Sequence, residues 1–276
     1  MHLVDRKHRR LVLLLSGASA ALAAISSALS LFNIDIYREA LPPDLLFGTI
    51  GFDVMSLATS LAMLGCVLAL HRGRDRFWLT WIGLQGYLLY TYAVFAFGFV
   101  LTPLYLVYVA ILGLSVYALG VFVRAVNPAL LRHWRPTKLP RRTMAAFLVV
   151  MATLFGVTWT SMLLDAIVGR SDVSGSTVIV LDLAFALPLL ALVGALLVMK
   201  RPMGDLLAPG VFGMSAAITL AASIGELIRP LFGETINVLL TAPFLLPGAV
   251  CLVFAVLAFS RIAPAAFPGD TPRPGG

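Results

Sequence analysis

Hydrophobic residues in this chain come in unbroken runs of about twenty, separated by short polar connections, rather than alternating at a strand or surface-helix period. The stretch GFDVMSLATSLAMLGCVLALHRGRDR, residues 51–76, shows the pattern: an aspartate, about seventeen uncharged residues, then a basic cluster. A helix of about twenty apolar residues crosses roughly 30 Å of hydrocarbon. Inside lipid, a helix is one of the few structures that satisfies its own backbone. The pattern predicts eight spans, at about 11–32, 49–70, 77–98, 103–123, 144–164, 177–199, 206–228 and 237–260. The fold expected is all-α, a polytopic transmembrane helical bundle. The first run also has the charged start and small-residue spacing of a secretory signal. It continues unbroken through Leu31 and Phe32, long enough to cross, and the span reading is preferred.

The runs repeat. FDVMSLATSLAMLGCVLALHR (52–72) aligns without gaps on LDLAFALPLLALVGALLVMKR (181–201) at an offset of 129, matching Asp53 with Asp182, Gly65 with Gly194 and Arg72 with Arg201. Asp35 falls against Asp165 at the ends of spans one and five. FGFVLTPLY (97–105) falls on IGELIRPLF (224–232), pairing Gly98 with Gly225 and Pro103 with Pro230. Repeats of this kind redefine a fold. The expected organisation is a first four-helix half (1–123), a basic linker (124–143), a second four-helix half (144–260) and a disordered Pro- and Gly-rich tail (261–276). Halves with an even number of spans insert the same way, so an axis along the membrane normal would relate them.

Charge adds orientation. Seventeen Lys and Arg residues fall before span one, after the even-numbered spans and in the long fourth connection; only Arg38, Arg170 and Arg229 fall on the other side. The positive-inside rule makes the rich side cytoplasmic and puts both termini there. Trp78 and Trp81 then fit an interfacial belt at the cytoplasmic end of span three. Composition agrees: 60% of residues are hydrophobic, 12% charged, and the mean hydropathy is +0.98. A soluble domain carries about 25% charged residues. The net charge of +7 therefore reads as topology, not as a nucleic-acid surface.

Candidate chemistry is sparse. Cys66 and Cys251 lie inside apolar runs, and His2, His8, His71 and His133 lie in the N-terminal segment or in connections. Neither a zinc site nor a haem is expected, and no cofactor or metal is assigned. Phosphate-loop, hydrolase-elbow and dinucleotide motifs are lacking, and the longest connection leaves no room for a soluble catalytic domain. What remains is acid in lipid. Asp53 and Asp182 sit about 6 and about 8 Å inside their spans, where a carboxylate needs a donor, a proton or a countercharge. At the same depth lie Gln85 and Tyr92 of span three, with Tyr87 and Tyr90 nearby. Thr158, Ser161 and Asp165 share one face of span five, and Glu226 ends span seven. Nine of the thirteen acidic residues fall in this outer half. Pro188, Pro243 and Pro247 interrupt spans six and eight, as in many transporters.

Two readings follow. In one, Asp53, Asp182, Gln85, Tyr92, Ser161, Asp165 and Glu226 line an extracytoplasmic polar cavity that takes a small solute or a lipid, or a proton. In the other, the two aspartates cap helix N-termini or pair with Arg38, Arg170 or Arg229. QGYLLYTYAVFAFG followed by PLYLVYVAILGLSVYAL, and later VLDLAFALPLLALVGALLVMKRPMGDLLAP, resemble uncharacterised multi-pass bacterial membrane proteins over roughly residues 50 to 230. The resemblance implies architecture and a place in the bacterial cytoplasmic membrane, without a mechanism. Three activities stay open: binding or transport of a solute or lipid, enzymatic modification of a lipid by an acid–base pair, and a non-catalytic partner or sensor role.

Overall fold

The computed structural model describes residues 3–98, 100–126, 134–136, 139–171, 173 and 175–264. Among these, eight long helices follow in order. They are α1 (Arg6–Phe32), α2 (Pro43–His71), α3 (Trp78–Phe97), α4 (Tyr105–Ala125), α5 (Arg141–Gly169), α6 (Ser176–Val198), α7 (Pro202–Leu227) and α8 (Val238–Arg261). Seven are long and apolar enough to cross a membrane. The exception is α3, the expected span 77–98. Its tryptophans, tyrosines and glutamine lower its hydropathy, and they are the residues it buries: Trp78, Trp81, Gln85, Tyr87 and Tyr92 are fully inside. Trp78 and Trp81 therefore do not form an interfacial belt. They stack on each other and on Phe122 of α4.

The packing falls into two apolar cores. The first joins α1 to α4 around Trp78, Trp81, Tyr92, Phe95 and Tyr108; the second joins α5, α6 and α8 around Leu148, Val193, Leu197 and Cys251. Helix α7 serves both, giving Met214 and Ala221 to the first core and Val211 and Phe212 to the second. It reaches α2 and α3 through glycines. A side chain at Gly83 of α3 would strike the backbone of Gly210, and one at Gly51 of α2 would strike Ala221 and Gly225. Small residues let helix backbones approach this closely where no hydrophobic effect drives association.

Arginine–aspartate pairs tie the basic end of each core. Arg9 of α1 bonds Asp75, just before α3, at 2.7 Å; Arg141 of α5 holds Asp205 of α7 through two bonds of 2.7 and 2.9 Å. The outward faces are largely apolar, with Leu14, Phe32, Leu106, Leu154, Val168, Phe185, Leu239 and Val253 all exposed. Such a surface is unsustainable in water and suits hydrocarbon. Trp134–Pro136 of the basic linker and Ile262–Pro264, at the start of the tail expected to be disordered, pair as a two-stranded antiparallel ribbon. Residues 265–276 lie outside the described residues.

Candidate functional site

Helix α2 begins at Pro43, six residues before the expected start, because Pro43 fits the first helical turn and loses no bond there. Asp53 is therefore well inside the helix and cannot cap it. It is fully buried in the first half. Its Oδ1 accepts a 2.9 Å bond from Ser27 of α1, and its Oδ2 a 2.5 Å bond from the Tyr37 hydroxyl, carried on the single helical turn Asp35–Arg38. Tyr37 lies 3.1 Å from Tyr108, and Tyr92 reaches Ser26 and Ser27 from α3. Burial, with the Asp53 carboxylate beside it, pushes the Tyr37 hydroxyl far above the ordinary phenol range, so it stays a proton donor. The cluster is closed by protein on every side.

Asp182 is placed differently. A π-turn, Asp182–Ala186, interrupts α6, and the Leu187 N–H donates to the Asp182 carbonyl five residues back. Pro188 follows and has no N–H, so the α-helical bond it would make is lost and the wider turn takes its place. The carboxylate lies between α3 and α5. Oδ1 accepts from the Tyr90 hydroxyl of α3 at 2.7 Å and Oδ2 from the Trp159 indole of α5 at 2.8 Å. Asp182 is only partly buried, and no ion pair reaches it among the described residues.

The free side of Asp182 faces a cavity of about 370 Å³ between α2 and α3 on one side and α5 to α8 on the other. Its walls are mostly apolar and aromatic (Phe52, Phe95, Met151, Phe155, Phe244, Met214), with Thr49, Thr177, Ser215 and Thr219 as further polar contacts. Leu41, Asp44, Gly98 and Gly175 line it too, which sets its mouth at the end away from the basic clusters. A second cavity of about 460 Å³, without a charged residue in its walls, lies between α3, α4, α6 and α7. Tyr90, Ala186 and Met214 line both cavities.

The seven residues singled out from sequence do not form one site. Asp182 alone lines the cavity of about 370 Å³. Asp53 and Tyr92 belong to the closed cluster, and Gln85 is buried beneath it in the same half. Ser161 and Asp165 face outward from α5, and the Ser161 hydroxyl folds back onto the Thr158 carbonyl. Glu226 is ion-paired with Arg229 at 2.9 Å, and Arg229 also holds Glu234 and stacks over Phe47. The pairing of either aspartate with Arg38, Arg170 or Arg229 does not occur, since Arg38 takes Asp35 and Arg229 takes the glutamates. Nor do Asp53, Asp182 and Glu226 converge as an acid–base pair; each has its own surroundings. No three His, Cys, Asp or Glu side chains gather as metal ligands among the described residues.

Two residues of the site, Trp159 and Tyr90, are not among those seven. A signal for Trp159 is present in α5, where Leu148, Met151, Phe155 and Trp159 recur at helical spacing on one face. The polar face of Thr158, Ser161 and Asp165 is the more conspicuous one in the sequence. The chain matches no family model, no curated protein and no solved structure.

Proposed function

We propose that this protein binds a small, largely apolar molecule bearing a cationic or hydrogen-bonding group, and takes it from the extracytoplasmic side into the cavity between two equivalent four-helix halves. The observation that carries the reading is Asp182: a partly buried carboxylate without a countercharge among the described residues, held by two neutral donors, in the wall of an aromatic cavity of about 370 Å³. That volume is in the range of small-molecule sites, roughly 300–1,000 Å³. Aromatic faces and a carboxylate together favour an ammonium group. Transport through the bilayer is the physiological form of such binding that the interrupted helix α6 suits best.

The two-half, eight-span organisation in a bacterial cytoplasmic membrane is part of the proposal. Its support is threefold. At the offset that aligns Gly98 with Gly225, Gly83 aligns with Gly210, and these two glycines touch, as equivalent residues do on a two-fold axis. Asp53 and Asp182 each take a bond from the first helix of their own half. Each half carries its own arginine–aspartate pair at the basic end. That end is assigned to the cytoplasm by the positive-inside rule.

The test is equilibrium binding to the protein in nanodiscs of zwitterionic lipid, comparing benzyltrimethylammonium with neopentylbenzene, its uncharged isostere. Saturable binding of the cation, competed by other aryl-ammonium compounds and far weaker for the neutral analogue, is the expected result. Equal, unsaturable partitioning of both would end the proposal.

A further inference from the structure

A second polar region lies within the first half, away from the cavity at Asp182. Gln85 of α3 is fully buried, and neither its amide oxygen nor its amide nitrogen has a hydrogen-bond partner. The hydroxyls of Ser60 on α2 and Ser115 on α4 are likewise buried and unpartnered. Leaving one such group dry is costly, and more so in a half surrounded by hydrocarbon. These four atoms lie on three helices of one small core, which also leaves the Trp78 indole N–H and the Thr91 hydroxyl unpartnered, and they point to a common cause.

Register brings them together. Helices α1 and α2 are pinned by Ser27 on Asp53 and by Arg9 on the Leu70 carbonyl, which sets Ser60 level with Ser19 and Ala20. Helices α1 and α3 are pinned by Trp81 on Ser16 and by Tyr92 against Ser26, which sets Gln85 level with the same two residues. Contacts of Trp81 with Phe122 and of Phe95 with Tyr108 place Ser115 about one turn, roughly 4–5 Å, nearer Asp53. At this level the space between the helices is bordered on α1 by Ser16, Ser19, Ala20 and Ala23, all small and fully buried. Gln85 shares its helix face with Trp81 and Tyr92, both of which reach α1, so its amide points into that space.

We propose that the first half encloses an internal water site between Gln85, Ser60 and Ser115, at mid-depth and below the Asp53 cluster. Water is the ligand because the set is uncharged, offers both donors and acceptors, and is walled by small residues. A buried water makes about three such bonds. On the basic side the site is stopped by the stack of Trp78, Trp81 and Phe122, and on the other by Tyr37, Tyr92 and Tyr108. The second core, with its apolar Met144, Leu148 and Val193, has no equivalent set of unpartnered polar atoms among the described residues.

Hydroxyl-radical footprinting in nanodiscs tests this, because a short X-ray pulse makes radicals from enclosed water and oxidises the side chains that touch it. Met63, on the Ser60 face of α2, and Met144 in the second core are both fully buried. The site predicts oxidation of Met63 at least fivefold above Met144, falling to the Met144 level in the Gln85→Leu, Ser60→Ala variant. Equal protection of the two methionines in the wild-type protein, which needs no variant to fold, would overturn the proposal.

Discussion

Asp53 and Asp182 occupy matching positions in two similar helices, yet they live in different chemistry. Asp53 sits on an unbroken helix and turns into its own half, where Ser27 and Tyr37 close over it. Asp182 sits at the start of a π-turn and turns out of its half, where Tyr90 comes from the other half to meet it. A single proline accounts for much of the divergence. Pro188 stands where the aligned position in α2 is Thr59, which keeps its N–H and so keeps the helix regular. Acids that align in sequence need not share a role. One fastens a core, and the other faces a cavity.

The strongest perturbation of this contrast is steric. Gly83→Leu should force α3 and α7 apart at Gly210, lower stability by about 3 kcal/mol or more by overpacking, and abolish cation binding with it. Thermal unfolding in detergent and the binding assay would show both losses together; a stable protein that binds normally would mean the two halves do not meet there. Next in size is Asp53→Ala, which removes the charged acceptor of the buried Tyr37 and Ser27 hydroxyls and should cost about 2–3 kcal/mol. Its mark is a lowered unfolding midpoint with ligand affinity retained in the folded fraction.

Asp182→Asn should do the opposite. Affinity for the aryl-ammonium probe should fall at least tenfold, about 1.4 kcal/mol, while the unfolding midpoint moves little. Tyr90→Phe and Trp159→Phe each remove one donor to Asp182 and leave its charge and an aromatic ring in place, so each should change affinity about threefold, roughly 0.7 kcal/mol by the same conversion. Smallest of all are Ser161→Ala and Asp165→Asn on the outward face of α5, where neither stability nor binding should change measurably.

How much of this could be read from the residues depends on the kind of signal. The positions of the long helices were legible because runs of apolar residues have a length set by the bilayer. Asp53 and Asp182 stood out in the sequence because one aligns on the other at an offset of 129. Their separation was not legible, because the direction in which a carboxylate points depends on helix rotation and on the π-turn at Pro188, which a repeat alignment does not encode. Tryptophan was misleading in α3 for a related reason. Trp78 and Trp81 stand near a span end, where belt residues are common, but the register with Ser16 and Phe122 turns both inward. In α5 the polar residues were visible and the aromatic face opposite was the one that mattered. Membrane helices weaken the usual cue, since outward faces are apolar too and burial no longer follows hydrophobicity.

Of the two acids, then, one is open to a cavity and the other is sealed. Dicyclohexylcarbodiimide, an apolar reagent that adds to carboxyl groups within the bilayer, separates these states, and peptide mass spectrometry locates the adduct. The expected outcome is an adduct on Asp182, suppressed by excess benzyltrimethylammonium, and an unmodified Asp53. Modification of Asp53 at the same rate, or of Asp53 alone, would contradict it.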